Sequence, residues 1–200
     1  IDWAARRNAW ILEDDYLGEL QLKRRAAPAL ASLDHGGRVL HIGTFSKTIS
    51  PTLRLGFVVV PTALAPRFAE AAMCLSPAPG PAVQLATAEF MREGHYLRHL
   101  RRMKRVYAAR SEALQVALES RGHRVHAGGL AVLLRLPDGT DDAAICREAQ
   151  AFGLAPVPLS AWYSPMDVRH PGLLLGVSTP DEARLPAACD RLHKLIAKFS

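Results

Sequence analysis

The sequence predicts an α/β fold, and three observations carry that expectation. Short apolar runs at 10–12, 39–42, 56–60, 130–136 and 173–177 alternate with longer stretches of helical periodicity, the order of an α/β protein. The first three runs show almost no polar alternation, which suits strands covered on both faces. Between the first three runs and the last two lies a basic amphipathic segment, 96–119, whose apolar positions Leu97, Leu100, Met103, Tyr107, Leu114, Ala117 and Leu118 recur at helical spacing.

In chain order, residues 1–7 read as the end of a helix leading into the strand at 10–12. Pro28 to Leu33 is a short apolar connector, and Asp34-His35-Gly36-Gly37 is a turn by composition. A helix is expected from about Thr62, with Leu64, Phe68, Ala71 and Ala72 on one side. Ser76-Pro77-Ala78-Pro79-Gly80-Pro81 ends it, because three prolines cannot continue the amide ladder. Helix resumes over 83–92 and bends at Gly94 before the long segment.

Further on, Gly128-Gly129 precedes the strand at 130–136, and Pro137-Asp138-Gly139 closes it as a turn. Asp141-Asp142 cap a helix through Phe152, with Ile145, Ala149 and Phe152 on one face and Gly153 as its stop. A strand-like run at 154–159 leads to a loop holding Trp162, Tyr163 and Pro165. After the last strand, Thr179-Pro180-Asp181-Glu182 has capping-box spacing and starts a helix that buries Leu185, Ala188, Leu192, Leu195, Ile196 and Phe199.

Two stretches carry chemistry. Gly43-Thr44-Phe45-Ser46-Lys47-Thr48 follows one apolar run and, with Arg54, precedes the next, so one lysine lies among hydroxyls and a guanidinium at a strand end. That set suits an imine-forming amine, Lys47, whose neighbours Thr44, Ser46 and Arg54 take phosphate oxygens; a solvated loop lysine is the plain alternative. Upstream, Glu13-Asp14-Asp15-Tyr16 places carboxylates and a phenol where another strand runs out, the place where α/β proteins put ligands. Pyridoxal phosphate needs a carboxylate against its pyridine nitrogen and is helped by a phenol near its ring oxygen, which Asp14 and Tyr16 can supply.

These motifs, with Pro51-Thr52-Leu53-Arg54-Leu55-Gly56-Phe57 and His99-Leu100-Arg101-Arg102-Met103, resemble the aminotransferase-like domain of the MocR subgroup of GntR-type regulators. The resemblance implies a fold type I pyridoxal-phosphate transferase: residues 1–95 as the C-terminal part of the large, mostly parallel sheet domain, and 96–200 as connector helix and small α/β domain. It implies Lys47 as the internal-aldimine lysine, Asp14 as the pyridine-nitrogen partner, Tyr16 as the ring-oxygen partner and Arg54 as the phosphate arginine, with Thr44 and Ser46 beside it. It further implies a homodimer, an amino acid or amine as substrate or effector, and DNA binding only through a domain outside this stretch. The chain is accordingly expected to be a C-terminal fragment. After Tyr16 it departs from the family pattern, with Leu17-Gly18-Glu19-Leu20-Gln21 where polar residues and an aromatic are usual. An effector sensor and an amino-acid aminotransferase share the cofactor residues. What would separate them is a carboxylate-binding arginine at the final strand, where Leu173-Leu174-Leu175 has none and Arg169 and Arg135 are insecure matches.

The formal charge of +6 invites a nucleic-acid reading, but arginine is spread through the chain. Its one cluster, Arg98, Arg101, Arg102, Lys104, Arg105 and Arg110, reads as a solvated helix face, and no helix-turn-helix is visible. His95 and His99 lack a third ligand, so no metal is expected. Cys74, Cys146 and Cys189 have no paired spacing, which points to a reducing compartment and a cytoplasmic protein.

Overall fold

The computed structural model describes residues 1–22, 26–75, 79–164, 166, 170–178 and 183–199. The expected breaker at 76–78, Pro165, Arg169 and the capping box at 179–182 lie outside them. The chain divides into two compact units, Ile1–Arg102 and Met103–Ser200.

In the first unit α1 (Asp2–Arg7) ends at Asn8, whose left-handed backbone turns the chain into β1 (Ile11–Asp15). A single helical turn, α2 (Leu30–Leu33), precedes β2 (Val39–Thr44), and β3 (Gly56–Val59) follows. The turn before β2 is built by Asp34, whose carboxylate accepts from the amides of Gly36 (3.0 Å), Arg38 (2.5 Å) and Val39 (2.8 Å). β1 pairs in parallel with β2, and β2 antiparallel with β3. The C-terminal ends of β1 and β2 therefore lie at the same end of the sheet as the start of β3. A 3-10 turn, Thr62–Leu64, leads into α3 (Ala65–Leu75), then α4 (Pro81–Arg92) and α5 (His95–Glu119), which continues into the second unit.

Two expectations for these elements need correction. Leu12, Ile42 and Val58 share one sheet face by register and remain exposed, so the strands carry more apolar surface than the described elements cover. On α5, Leu100, Leu114 and Leu118 are buried as expected, but Leu97 is exposed.

The second unit contains β4 (Arg124–Gly128), β5 (Ala131–Arg135), α6 (Asp142–Gln150), β6 (Val157–Pro158), β7 (Gly172–Gly176) and α7 (Leu185–Ile196). Its sheet has the order β4-β5-β7-β6 with every pairing antiparallel. Leu118, Val132, Leu134, Ile145, Leu173 and Val177 are wholly buried in one core cluster, which α7 completes with Cys189, Leu192, Leu195 and Ile196. β4 has no counterpart in the sequence reading; it forms a hairpin with β5 around Gly129, whose φ of 55° the two-residue turn requires. The strand read at 154–159 shrinks to two residues, because Pro156 and Pro158 have no amide hydrogen for a ladder. Asp141 caps α6 through the Ala144 amide (2.8 Å), whereas Asp142 is buried and accepts from the Ser160 amide (2.9 Å), the Ser160 hydroxyl (2.5 Å) and the Gly172 amide (3.1 Å). α6 stops at Gln150, so Phe152 leaves the helical face expected for it and is half exposed.

Candidate functional site

The sheet end where β1 and β2 finish and β3 begins collects all six residues singled out in the sequence. β1 ends in Asp14 and Asp15 and hands on to Tyr16, β2 ends in Thr44 ahead of Ser46 and Lys47, and Arg54 stands two residues before β3. The pairing of Thr44 with Gly56 sets the two sides of the lysine loop against each other. The loop is closed by its own backbone: Phe45 N–H donates to Leu55 O (3.0 Å), and the Ile49 and Ser50 amides donate to Phe45 O (2.8 and 3.2 Å). The Thr44 hydroxyl accepts from the Ser46 amide at 3.1 Å and lies 3.4 Å from Leu55 O, so it shapes the loop. Ser50 begins the short 3-10 turn Pro51–Leu53 by accepting from the Thr52 amide at 3.3 Å. Lys47 projects exposed from this frame.

The acidic triplet splits into distinct roles. Glu13 accepts from the amides of Leu30 (2.6 Å) and Ala31 (3.1 Å) at the start of α2 and lies 3.0 Å from His41 Nδ1. Burial opposes ionisation of Glu13, but the two amides and the imidazole outweigh it and hold its carboxyl below the usual range. Asp15 accepts from the Gly18 amide at 2.6 Å and fixes the turn after Tyr16. Asp14, between them, has no hydrogen-bond or ion-pair partner among the described residues, and neither have Tyr16, Lys47 and Arg54. A carboxylate, a phenol, an amine and a guanidinium are thus left with their bonding capacity unused at one sheet end.

Arg54 carries a second mark. Its φ of 49° is left-handed, and Asn8 is the only other non-glycine residue with positive φ among those described. For a long side chain that conformation costs on the order of 1 kcal/mol, a strain that clusters at ligand sites.

Sequence reasoning missed the support behind the loop. His99 Nε2 lies 2.9 Å from Thr48 O, and the Tyr96 hydroxyl donates to Glu19. Burial and then Glu19 push the Tyr96 phenol up to about 12, so it remains a donor at neutral pH. Tyr96, Glu19, Tyr16, Thr48 and Phe57 border a cavity of about 110 Å³. The signal available was Glu19 itself, an acid inside the stretch read only as a departure.

No family model matches the chain. It is 40% identical over 162 residues to the probable rhizopine catabolism regulatory protein MocR of Rhizobium meliloti, covering 78% of this chain and 32% of that protein. The chain is a MocR-type homologue. It is also 34% identical over 192 residues to the HTH-type transcriptional regulator TauR of Rhodobacter capsulatus, across 93% of this chain and 39% of that one. The chain spans roughly a third of the length of these curated relatives. Among solved structures, the kynurenine aminotransferase of Pyrococcus horikoshii, in complex with PMP, superposes with a TM-score of 0.84 at 27% identity, covering 98% of this chain and 50% of that one. The chain thus has the fold of type I pyridoxal-phosphate transferases.

Proposed function

We propose that this chain is a pyridoxal-phosphate-binding, aminotransferase-like domain that attaches the cofactor at Lys47 and serves as the effector-sensing part of a MocR/GntR-type regulator. The observation that carries the reading is the convergence of Lys47, Asp14, Tyr16 and Arg54, unpartnered among the described residues, at one end of the sheet. Their chemistry fits the group. When bound, pyridoxal phosphate supplies an electron sink for a carbon beside an amine. Asp14 keeps a proton on the ring nitrogen by its negative charge, Tyr16 donates toward the ring oxygen, and Arg54 with Ser46 binds phosphate oxygens. The Lys47 amine would condense with the cofactor's aldehyde, the carbonyl oxygen leaving as water, and once freed by an incoming amine would accept and return a proton. Thr44 acts through the loop it shapes.

On this reading residues 1–95 are the C-terminal part of the cofactor-binding domain, and 96–200 are the connector helix and small domain. The effector is an amino acid or amine, DNA is contacted through a segment outside these residues, and the working unit is a homodimer. The second reading, an amino-acid aminotransferase, is supported by the similarity to the kynurenine enzyme. Leu173-Leu174-Leu175, without an arginine to clamp a substrate carboxylate, favours the sensor.

The test uses the full-length protein loaded with pyridoxal phosphate and reduced with borohydride. Mass spectrometry is expected to place the pyridoxyl group on the peptide containing Lys47, and Lys47→Ala to lose it. Labelling of a different lysine, or equal labelling of the variant, sinks the assignment. Multiple-turnover formation of a keto acid from an amino acid, without any change in operator affinity, would decide for the enzyme.

A further inference from the structure

We propose that the second unit carries its own oxyanion-binding cleft, at the open end of the β4–β5 hairpin, suited to a small organic phosphate or carboxylate with an apolar body. The cleft has a volume of about 530 Å³ and is bordered by His123, Arg124, Arg135, Leu136, His193 and Ile196, all residues of the second unit. That size is ordinary for a small-molecule site.

The charge arrangement is the argument. Arg124 and Arg135 are direct partners across the antiparallel ladder, and like charges placed so destabilise a hairpin. Neither has a hydrogen-bond or ion-pair partner among the described residues, and both are exposed. Two acids close by in sequence are engaged elsewhere: Asp190 with Arg121 at 2.6 Å, and Asp138 with His170 at 3.6 Å. Among the described residues, no carboxylate lines the cleft. His123 Nε2 and His193 Nδ1 lie 3.1 Å apart, one ring donating to the other; burial, then His193 and Arg121, push the His123 pKa down, so His123 offers the cleft a neutral ring nitrogen and no added charge. An oxyanion would neutralise the arginine pair through paired N–H donors, the geometry guanidinium groups offer best. Leu136 and Ile196, both nearly buried, supply an apolar floor for the rest of the ligand.

The probe is phenyl phosphate, titrated calorimetrically into the intact protein already loaded with pyridoxal phosphate, so that the lysine loop is occupied, and compared with inorganic phosphate and a short DNA duplex. Phenyl phosphate should saturate one site, with inorganic phosphate weaker by about threefold or more and affinity lowered about tenfold or more by Arg124→Ser with Arg135→Ser. Binding should persist in Arg54→Ala, which separates this cleft from the lysine loop. Because the double substitution removes a repulsion, its melting temperature without ligand should equal or exceed that of the parent. Should it fall instead, Arg135→Gln alone must still weaken phenyl phosphate at an unchanged melting temperature. The proposal is overturned if nothing saturates, if Arg54→Ala abolishes the binding, if inorganic phosphate binds as tightly, or if the duplex displaces the probe.

Discussion

Leu12 and Leu134 occupy comparable mid-strand positions, β1 in one sheet and β5 in the other, yet Leu12 is 69% exposed and Leu134 is 0% exposed. A matching contrast separates the buried Asp142 from the polar residues at the first sheet's end. In the second unit the buried Asp142 receives three donors, whereas in the first Asp14, Lys47 and Arg54 have no partners among the described residues. One sheet has a face filled by its core, while the other presents apolar faces and a polar end. Ionisable groups gathered at one sheet end without protein partners among the described residues, more than residue type alone, therefore mark where this chain meets something else.

The sharpest way to break that comparison is to truncate the two leucines. Leu134→Ala should destabilise the second unit by about 2 to 5 kcal/mol, the range for emptying a filled core site, and Leu12→Ala should change stability by less than about 0.5 kcal/mol. Amide hydrogen exchange of β5 and β1 reads each unit separately. Equal effects would mean that the face carrying Leu12 is packed in solution, and the contrast would fall.

Arg54 sharpens the comparison at the functional end. Arg54→Ala should weaken pyridoxal phosphate by about 1.5 to 3 kcal/mol through lost charge-assisted hydrogen bonds. Arg54→Gly should weaken it comparably while raising stability by about 1 kcal/mol relative to Arg54→Ala, since glycine adopts a φ of 49° without strain. Spectral titration and urea unfolding read the two quantities. If glycine and alanine prove equally stable, the left-handed backbone holds no strain and its use as a mark of function is withdrawn.

These contrasts were unevenly legible in the sequence. Lys47, Asp14, Tyr16 and Arg54 could be found because rare chemical types stand where apolar runs end, and strand ends follow from local pattern. How the triplet divides its work could not, because it depends on the Leu30 and Ala31 amides, which only the tertiary fold brings to Glu13. β4 escaped because Arg-Val-His-Ala-Gly contains one large aliphatic residue, too little for a period-two signal. The exposure of Leu12 was misread for the opposite reason: an apolar run specifies a surface to be covered and says nothing of what covers it.

The smallest expected effect tests whether Glu13 belongs to the scaffold, apart from Asp14. Its carboxyl is held below the usual range because two backbone amides and His41 favour the charged form more than burial opposes it. A group depressed in the folded state contributes stability that is present above its unfolded value and lost as pH falls through the folded one. Stability of the first unit should therefore decline on acidification, as pH falls below the ordinary carboxylate range and through the lowered folded value. Glu13→Gln should lower stability at neutral pH and flatten that decline, because the variant has no carboxyl to protonate. Asp14→Asn should leave stability at neutral pH close to that of the parent, since among the described residues nothing in the fold bonds to Asp14. Unfolding curves at several pH values separate the two substitutions. If Asp14→Asn lowers stability at neutral pH as much as Glu13→Gln, Asp14 is tied into the scaffold and is not held in reserve for a ligand.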